Sequence, residues 1–305
     1  MAPRIEQLVE KYAASPAPVV ITGPIGVGKT YLARLIHARS GRPGSFVPVP
    51  LTSLQPGFEH VTLAGHDKGA YTGAHQRRGG LLQEAHRGTL FLDEIGDVSV
   101  EGQRLLLELL TEQGLRRLGE ERRVRYDLRF ILATHVDLDQ AVLEGKVRED
   151  LLSRLGHAWI ALSPLRDRSE EVPSLIEHYL RECTLENGRT APEVDAELMA
   201  ILTHAPWIYN IRSLVNECQS LATVRADDGI LRVGDLSDRF WNEVRRHLGT
   251  LPEDGAIAFA LRMTGGHRGR AAELLELPQR TFFRRTAGLV SVPSSRGRRK
   301  VPREA

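Results

Sequence analysis

Val19-Val20-Ile21-Thr22-Gly23-Pro24-Ile25-Gly26-Val27-Gly28-Lys29-Thr30 is the stretch that decides the fold. Val19 to Ile21 form an apolar run of strand length, and Leu32, Leu35 and Ile36 fall at helical spacing after the glycines. Between strand and helix, Gly23, Pro24, Ile25, Gly26, Val27, Gly28, Lys29 and Thr30 fit G-x-x-x-x-G-K-[ST]. The glycines let backbone N–H groups curl around phosphate oxygens. Lys29 is placed to reach the β- and γ-phosphates, and Thr30 to offer a hydroxyl to Mg²⁺. The helix that begins here adds its positive N-terminal end. A glycine-rich turn without a ligand is the competing reading, and the flanking strand and helix argue against it.

A second apolar run, Thr89-Leu90-Phe91-Leu92, ends in Asp93-Glu94. Alone, two carboxylates at a strand end are an ordinary acidic surface. With Lys29 and Thr30 upstream they complete a P-loop ATPase, in which Asp93 holds Mg²⁺ through water and Glu94 polarises the attacking water. Further strand-like runs are Phe46 to Val49, Leu128 to Leu132 and Ala158 to Ile160. They alternate with helical patterns over residues 1–15, ended by Pro16 and Pro18, and from Val100 to Gln113. That alternation predicts an α/β fold with a parallel sheet covered on both faces. After Pro164 the strands stop, and residues 169–183, 193–203 and 210–224 read as helices. A loop at Thr250 to Asp254 precedes a small third unit. The expected division is 1–165, 166–250 and 256–290, followed by a basic, disordered tail at 291–305.

The length of 305 residues suits two or three domains, and 41% hydrophobic with 26% charged residues is an ordinary globular balance. No apolar run approaches the roughly 18 residues of a membrane helix. The charged N-terminus, with Arg4, Glu6, Glu10 and Lys11, is not a signal peptide. These features argue against a secreted or membrane protein and for a cytoplasmic one without membrane partners. Cys183 and Cys218 lie in apolar helical patterns and read as buried free thiols. Residues 256–305 hold 11 Lys+Arg against 3 Asp+Glu, a net +8 on a chain of net +2, which points to a polyanion partner for that end.

Gly69-Ala70-Tyr71-Thr72-Gly73-Ala74, preceded by Leu63-Ala64-Gly65-His66-Asp67-Lys68, resembles the L-F-G-H-E-K-G-A-F-T-G-A loop of bacterial enhancer-binding proteins. These are AAA+ ATPases that activate sigma-54 RNA polymerase. Gly88 to Asp97 matches the family's Walker B region, Arg148 to Leu155 its R-E-D-L-x-x-R-L, and Pro164 to Arg168 the start of its helical lid. The similarity runs from about residue 17 to 290. It implies an AAA+ P-loop ATPase that uses ATP and Mg²⁺, followed by an all-helical lid.

The resemblance also implies roles. Gly69, Ala70, Tyr71, Thr72, Gly73 and Ala74 would contact sigma-54, with Tyr71 standing where the family has Phe. Without the family, a small, flexible hexamer exposing one ring already suits a loop that moves and grips. Arg148 and Arg154 align with the arginine fingers, which stabilise transition-state charge in a neighbouring subunit. Six residues on a helix give about 9 Å of rise, so both could face that neighbour. The competing reading is surface pairing with Glu149 or Asp150. Thr134 matches the sensor I threonine and Arg212, in Asn210-Ile211-Arg212-Ser213-Leu214, the sensor II arginine. Fingers acting in trans require self-association, by resemblance into a hexameric ring.

Residues 256–287 fit three helices with a break at Thr264 to His267 and a turn at Glu276 to Pro278. The spacing resembles the family's Fis-type helix-turn-helix. Gln279, Arg280, Thr281, Arg284 and Arg285 would reach bases or phosphates of enhancer-type DNA. A helical dimerisation unit without DNA contact is the alternative.

Several positions depart from the pattern. Pro50 stands where the family has the Asn that holds the catalytic glutamate idle; proline offers neither a side-chain amide nor an N–H. His135 replaces the usual Asn after the sensor threonine, and Thr30 replaces a usual Glu. Trp207-Ile208-Tyr209 replaces W-P-G, Glu276 a turn glycine, Pro278 a Ser and Thr286 a core Leu. Only about 15 residues precede the first strand, so an N-terminal regulatory domain is expected to be absent. Control would then come from a partner protein, expression level or a paralogue. The expected function is an ATP-hydrolysing, DNA-binding activator that remodels sigma-54 RNA polymerase. The alternatives are a hydrolysis-deficient repressor or scaffold, and a subunit of a hetero-oligomeric activator.

Overall fold

Three apolar runs bring their C-terminal ends to one edge of a parallel sheet. The computed structural model describes residues 3–55, 57–71, 75–120, 123–186, 188–224 and 229–286. The chain divides into two units, Met1–Pro164 and Leu165–Ala305. The first is built on β1 (Val19–Thr22), β2 (Phe46–Pro50), β3 (Thr89–Asp93), β4 (Arg129–Thr134) and β5 (Ala158–Ala161), all parallel, in the order β2-β3-β4-β1-β5. All six residues of β4 are buried, as are Val19 to Ile21 and Leu90 to Leu92, because helices cover both faces of these strands.

The two faces share out alternate residues. Val20, Leu90, Leu92, Phe130 and Leu132 pack with Leu106 and Leu109 of α3 (Val100–Glu112). Val19, Ile21, Phe91, Ile131 and Ala133 pack with Val9 of α1 (Pro3–Ala13) and with Leu32 and Ile36 of α2 (Lys29–Arg39). Arg129, buried at the start of β4, donates from Nη1 to the Ala13 carbonyl at 2.8 Å and from Nη2 to that of Tyr12. It thereby satisfies the Ala13 carbonyl at the end of α1 and adds a second donor to that of Tyr12, which also accepts from the Ser15 N–H at 3.2 Å. A short helix, α4 (Glu149–Arg154), precedes β5.

Two antiparallel pairs do not emerge from the sequence: Gly65–His66 with Arg78–Gly79, and Gly114–Arg116 with Arg123–Arg125. Strands of two or three residues carry no measurable periodicity. At Gly65 (φ 82°) a Cβ would meet the Arg78 carbonyl oxygen at 2.3 Å, so the base of the 65–79 segment closes only with glycine there.

The second unit is built of helices α5 (Val172–Glu186), α6 (Ala196–His204), α7 (Ile211–Thr223), α8 (Asp238–Leu248), α9 (Glu253–Met263), α10 (Arg268–Leu274) and α11 (Gln279–Arg285). It is not all-helical as expected: Glu193–Val194, read as the start of a helix, pairs in parallel with Ile230–Leu231, a two-residue ladder too short to show a period. Its main core joins Ile176, Leu202, Leu214 and Val244 with Ala256, Phe259 and Met263. The segment after Thr250 is therefore not detached from the preceding helices. One face of α9 lies in their core, with Phe259 edge-on to His247 at 4.8 Å, while Ile257 and Ala260 form a second cluster with Ala271, Ala272 and Phe282. Cys183 and Cys218 are buried and free, and burial pushes the Cys218 thiol up. The expected tail at 291–305 lies outside the described residues. Among the described residues, no helix is long and apolar enough to cross a membrane.

Candidate functional site

The sheet order sets β3, β4 and β1 side by side, so the residues that follow them meet at one edge, where open parallel sheets bind ligands. After β1 the chain turns through Gly23, Gly26 and Gly28, all at positive φ (146°, 74° and 107°). A Cβ on Gly23 would lie 2.6 Å from the Leu162 carbonyl oxygen. Val27 is buried in the core and anchors the loop, whereas Ile25 is exposed. Gly28 caps α2 without a side-chain acceptor, so the first N–H groups of α2 have no side-chain cap. Lys29 is 6% exposed; its Nζ donates to the carbonyl oxygens of Gly23 (3.0 Å) and Pro24 (3.4 Å). This is a cation held over a turn of backbone whose first residue has no room for a side chain. Thr30 is exposed on the first turn of α2.

Asp93 is half-buried at the end of β3, and Glu94 follows with φ 60° and ψ 52°. A non-glycine residue in that region carries backbone strain, which concentrates at functional sites. Glu94 Oε1 lies 3.5 Å from Lys29 Nζ. Glu94 Oε2 accepts from His135 Nδ1 at 2.7 Å and from the His135 backbone N–H at 3.3 Å. Burial pushes the Glu94 carboxyl up, but the His135 hydrogen bond and the Lys29 charge outweigh it and hold it below the ordinary carboxylate value. Thr134 is fully buried and its Oγ1 accepts from the Val136 N–H at 3.0 Å. Pro50 lies opposite Asp93 in register and is exposed. The sequence reading missed the His135 contact, whose only signal was the unusual residue after Thr134.

Arg148 differs from its expected setting. It is the extended N-cap of α4 (φ −75°, ψ 134°) rather than a residue within a helix, so helical rise does not relate it to Arg154. Its guanidinium donates to both carboxylate oxygens of Asp150, at 2.9 and 2.6 Å, which is the pairing that competes with a finger role. Arg154 is exposed at the end of α4. Arg212 is exposed on α7 of the second unit. The start of α7 is held by Glu243 of α8, which accepts from the Ile208 N–H and from Ser213 Oγ (2.9 Å), a contact no local pattern announces.

In the loop that resembles the sigma-54 contact, Gly69 has φ 82° and the Ala70 N–H donates to the Asp67 carbonyl at 3.3 Å. The Tyr71 ring is 40% exposed and edge-on to His66 at 5.0 Å. Thr72, Gly73 and Ala74 lie outside the described residues. The hairpin after α3 reaches the base of this loop: the Leu118 N–H donates to Gly65, and that of Asp67 to Leu118.

At the basic end, α10 and α11 are joined by a turn in which the Leu277 N–H donates to Ala272 at 2.9 Å. Glu276, at φ 53°, occupies the left-handed position that glycine favours. Gln279, Arg280 and Arg284 are exposed on α11, Thr281 is half-buried, and Arg285 pairs with Glu253. Phe283, which the sequence reading passed over, is exposed with the Arg268 guanidinium 5.7 Å above its ring. Thr286 is buried, its hydroxyl donating to the Phe282 carbonyl at 3.0 Å.

Comparison with known proteins agrees with this geometry. Residues 2–161 match the family described as the sigma-54 interaction domain, and residues 166–249 match the AAA+ ATPase lid domain. The Nif-specific regulatory protein of Herbaspirillum seropedicae is 38% identical over 74% of this chain and 42% of its own length. The DNA-binding transcriptional regulator NtrC of Escherichia coli is 33% identical over 92% of this chain and 66% of its own. The chain thus spans 42% to 66% of the length of these curated relatives. The crystal structure of NtrX from Brucella abortus in complex with ATP superposes with a TM-score of 0.71 at 30% identity, covering 94% of this chain and 67% of that one. With a parallel sheet, a phosphate-type loop and a helical unit matched in sequence and shape, the chain belongs to the sigma-54 interaction domain family and carries an AAA+ ATPase lid.

Proposed function

We propose that the chain is an ATP-hydrolysing, DNA-binding transcriptional activator that remodels sigma-54 RNA polymerase. The observation that carries this reading is the meeting of Lys29 and Glu94, 3.5 Å apart, beside the glycine turn after β1. Gly23 to Gly28 wrap the triphosphate with backbone N–H groups, and Lys29 exchanges Glu94 for the β- and γ-phosphates. Thr30 and Asp93 would hold Mg²⁺; a hydroxyl and a carboxylate are the hard oxygen donors that ion takes. When bound, Mg²⁺ supplies positive charge against the β- and γ-phosphate oxygens. Glu94 orients water and accepts its proton. Thr134 and Arg212 sense the γ-phosphate. Arg148 and Arg154 serve the site of a neighbouring copy in a hexameric ring, Arg148 exchanging Asp150 for phosphate. The loop at Gly69 to Ala74 grips sigma-54, and Gln279, Arg280, Thr281, Arg284 and Arg285 meet enhancer-type DNA.

The test is ATP turnover against protein concentration, alone and with sigma-54, with Glu94→Gln as control. Turnover that rises steeply with concentration supports active sites shared between copies. Turnover no faster than Glu94→Gln at any concentration, in the wild type and with Glu94 released from its partners, refutes the ATPase reading. One observation favours a second reading: both Glu94 oxygens are engaged by Lys29 and His135, as in a scaffold or repressor that does not turn over. Turnover that appears only on mixing with a paralogue would instead make the chain one subunit of a hetero-oligomer.

A further inference from the structure

Glu94 is held by donors of this chain, and Pro50, in register beside Asp93, has no donor to offer it. We propose, resting on the ATPase reading above, that His135 is the positioning residue that holds Glu94 idle, in the place of a side-chain amide at position 50. Glu94 Oε2 lies 2.7 Å from His135 Nδ1, and since a carboxylate oxygen accepts, the imidazole N–H is the donor of this contact. The backbone N–H of the same residue adds a second donor to the same oxygen. With Oε1 facing Lys29, neither oxygen is free to take a proton from water.

The restraint is aimed by its surroundings. His135 follows β4, whose last residue Thr134 is fully buried and fixes the next turn through the Val136 N–H. β2, the strand that ends beside Asp93, contributes only Pro50 at that level. Asp97 Oδ2 lies 3.7 Å from the same His135 Nδ1, and Glu94, Asp97 and His135 bring one polar atom each within 4.8 Å of one another. When Glu94 turns toward water, Asp97 is the acceptor that receives the imidazole. Asp97 ends the 3₁₀ turn Ile95–Asp97 that leads, through the Ser99 cap, into α3. The hairpin after α3 contacts Gly65 and Asp67 at the base of the 65–71 loop. The exchange of partners at His135 thus lies on a connected route from the nucleotide site to that loop.

The experiment uses the full chain and four variants: His135→Ala, Pro50→Asn, the double variant and Glu94→Gln. Turnover at saturating ATP, KM and ATP affinity are measured with and without sigma-54. Loss of a charge-assisted hydrogen bond of this kind predicts that His135→Ala turns over about tenfold faster without sigma-54, with KM changed less than about twofold. The response to sigma-54 is lost with it. Adding Pro50→Asn to His135→Ala restores the restraint and brings both back toward wild type. A His135→Ala chain that keeps the wild-type rate and sigma-54 response overturns the proposal. So does one that loses turnover and is not rescued by Pro50→Asn while still binding ATP. The two readings fail separately: wild type equal to Glu94→Gln refutes the ATPase, unless His135→Ala switches turnover on, which supports the restraint. If that variant stays silent, both fall.

Discussion

Replacing Glu94 by Gln moves ATP binding and ATP hydrolysis in opposite directions. Glu94 Oε1 sits 3.5 Å from a Lys29 ammonium that is 6% exposed. At an effective dielectric of about 20 that pair has a gross Coulomb attraction of about 5 kcal/mol. Most of it is lost to screening and to the cost of ordering both groups, which leaves about 1 kcal/mol net. ATP must displace this carboxylate to reach Lys29. Removing the charge therefore tightens ATP binding by about fivefold, because 1.4 kcal/mol is a factor of ten. The same change removes the proton acceptor, which costs about 10²- to 10⁴-fold in turnover. Gln keeps an oxygen that accepts from His135 Nδ1, so the local structure is retained. Equilibrium titration with a fluorescent ATP analogue and phosphate release under single-turnover conditions read the two effects. Binding that weakens, or turnover within tenfold of wild type, would refute the reasoning.

Asp150→Asn frees Arg148 from its bidentate partner and raises turnover at a given protein concentration, whereas Arg148→Ala lowers it about 10³-fold or more; equal effects of the two in steady-state assays would count against a trans role. Arg284→Ala weakens DNA binding by similar factors on all sequences and lowers the salt slope of log K by about 1, as read by fluorescence anisotropy over a salt series. Glu276→Gly relieves a left-handed residue at φ 53° and stabilises the second unit by about 1 kcal/mol in urea denaturation. Burial and the charges of Arg129, Arg42 and Arg34 lower the His37 value, and burial with Arg166 and Arg262 lowers that of His247. The folded chain then binds fewer protons than the unfolded one, so stability is full above the ordinary histidine value of about 6.5 and falls as pH drops through and below it. His37→Gln and His247→Gln each flatten that fall when urea midpoints are compared at about pH 7.5 and 5.5.

The three central strands were legible because strands buried on both faces read as unbroken apolar runs, as Leu90-Phe91-Leu92 and Val19-Val20-Ile21 do, whereas β2 at the sheet edge alternates buried and exposed residues. The phosphate-type turn was legible for a different reason: it is local, and its glycines and lysine are neighbours in sequence. The contact between Glu94 and His135 joins residues 41 apart and exists only because β3 and β4 are adjacent and in register. A pattern within either strand carries no information on it. Arg148 was misplaced by one residue at a helix boundary, where an N-cap and a first helical residue look alike in sequence but point differently. Glu243, which holds the segment before α7 through the Ile208 N–H and the Ser213 hydroxyl, comes from another helix, so no local pattern carries it. Long-range polar pairing is what the sequence conceals; periodic apolar burial is what it displays.

The pairings share one physical logic. Lys29 faces Glu94, Arg148 faces Asp150, Arg285 faces Glu253 and Arg270 faces Glu197. Each of the first three cations is one that the proposed function sends to a phosphate. Lys29, which is buried, would oppose folding without a partner, and Glu94 removes that cost while phosphate is absent, whereas Arg148 and Arg285 are open to water and incur little of it. Ion pairs open to water are individually weak, whereas phosphate offers more charge and several acceptor oxygens. On the proposed function, the exchange therefore runs toward the phosphate when nucleotide, a neighbouring copy or DNA presents one. On this view the carboxylates set thresholds rather than stability: removing a cation abolishes a phosphate contact, and removing its carboxylate lowers the concentration at which the contact forms. On the proposed function, Lys29, Arg148 and Arg285 are thus held by carboxylates of the same chain until a phosphate displaces them.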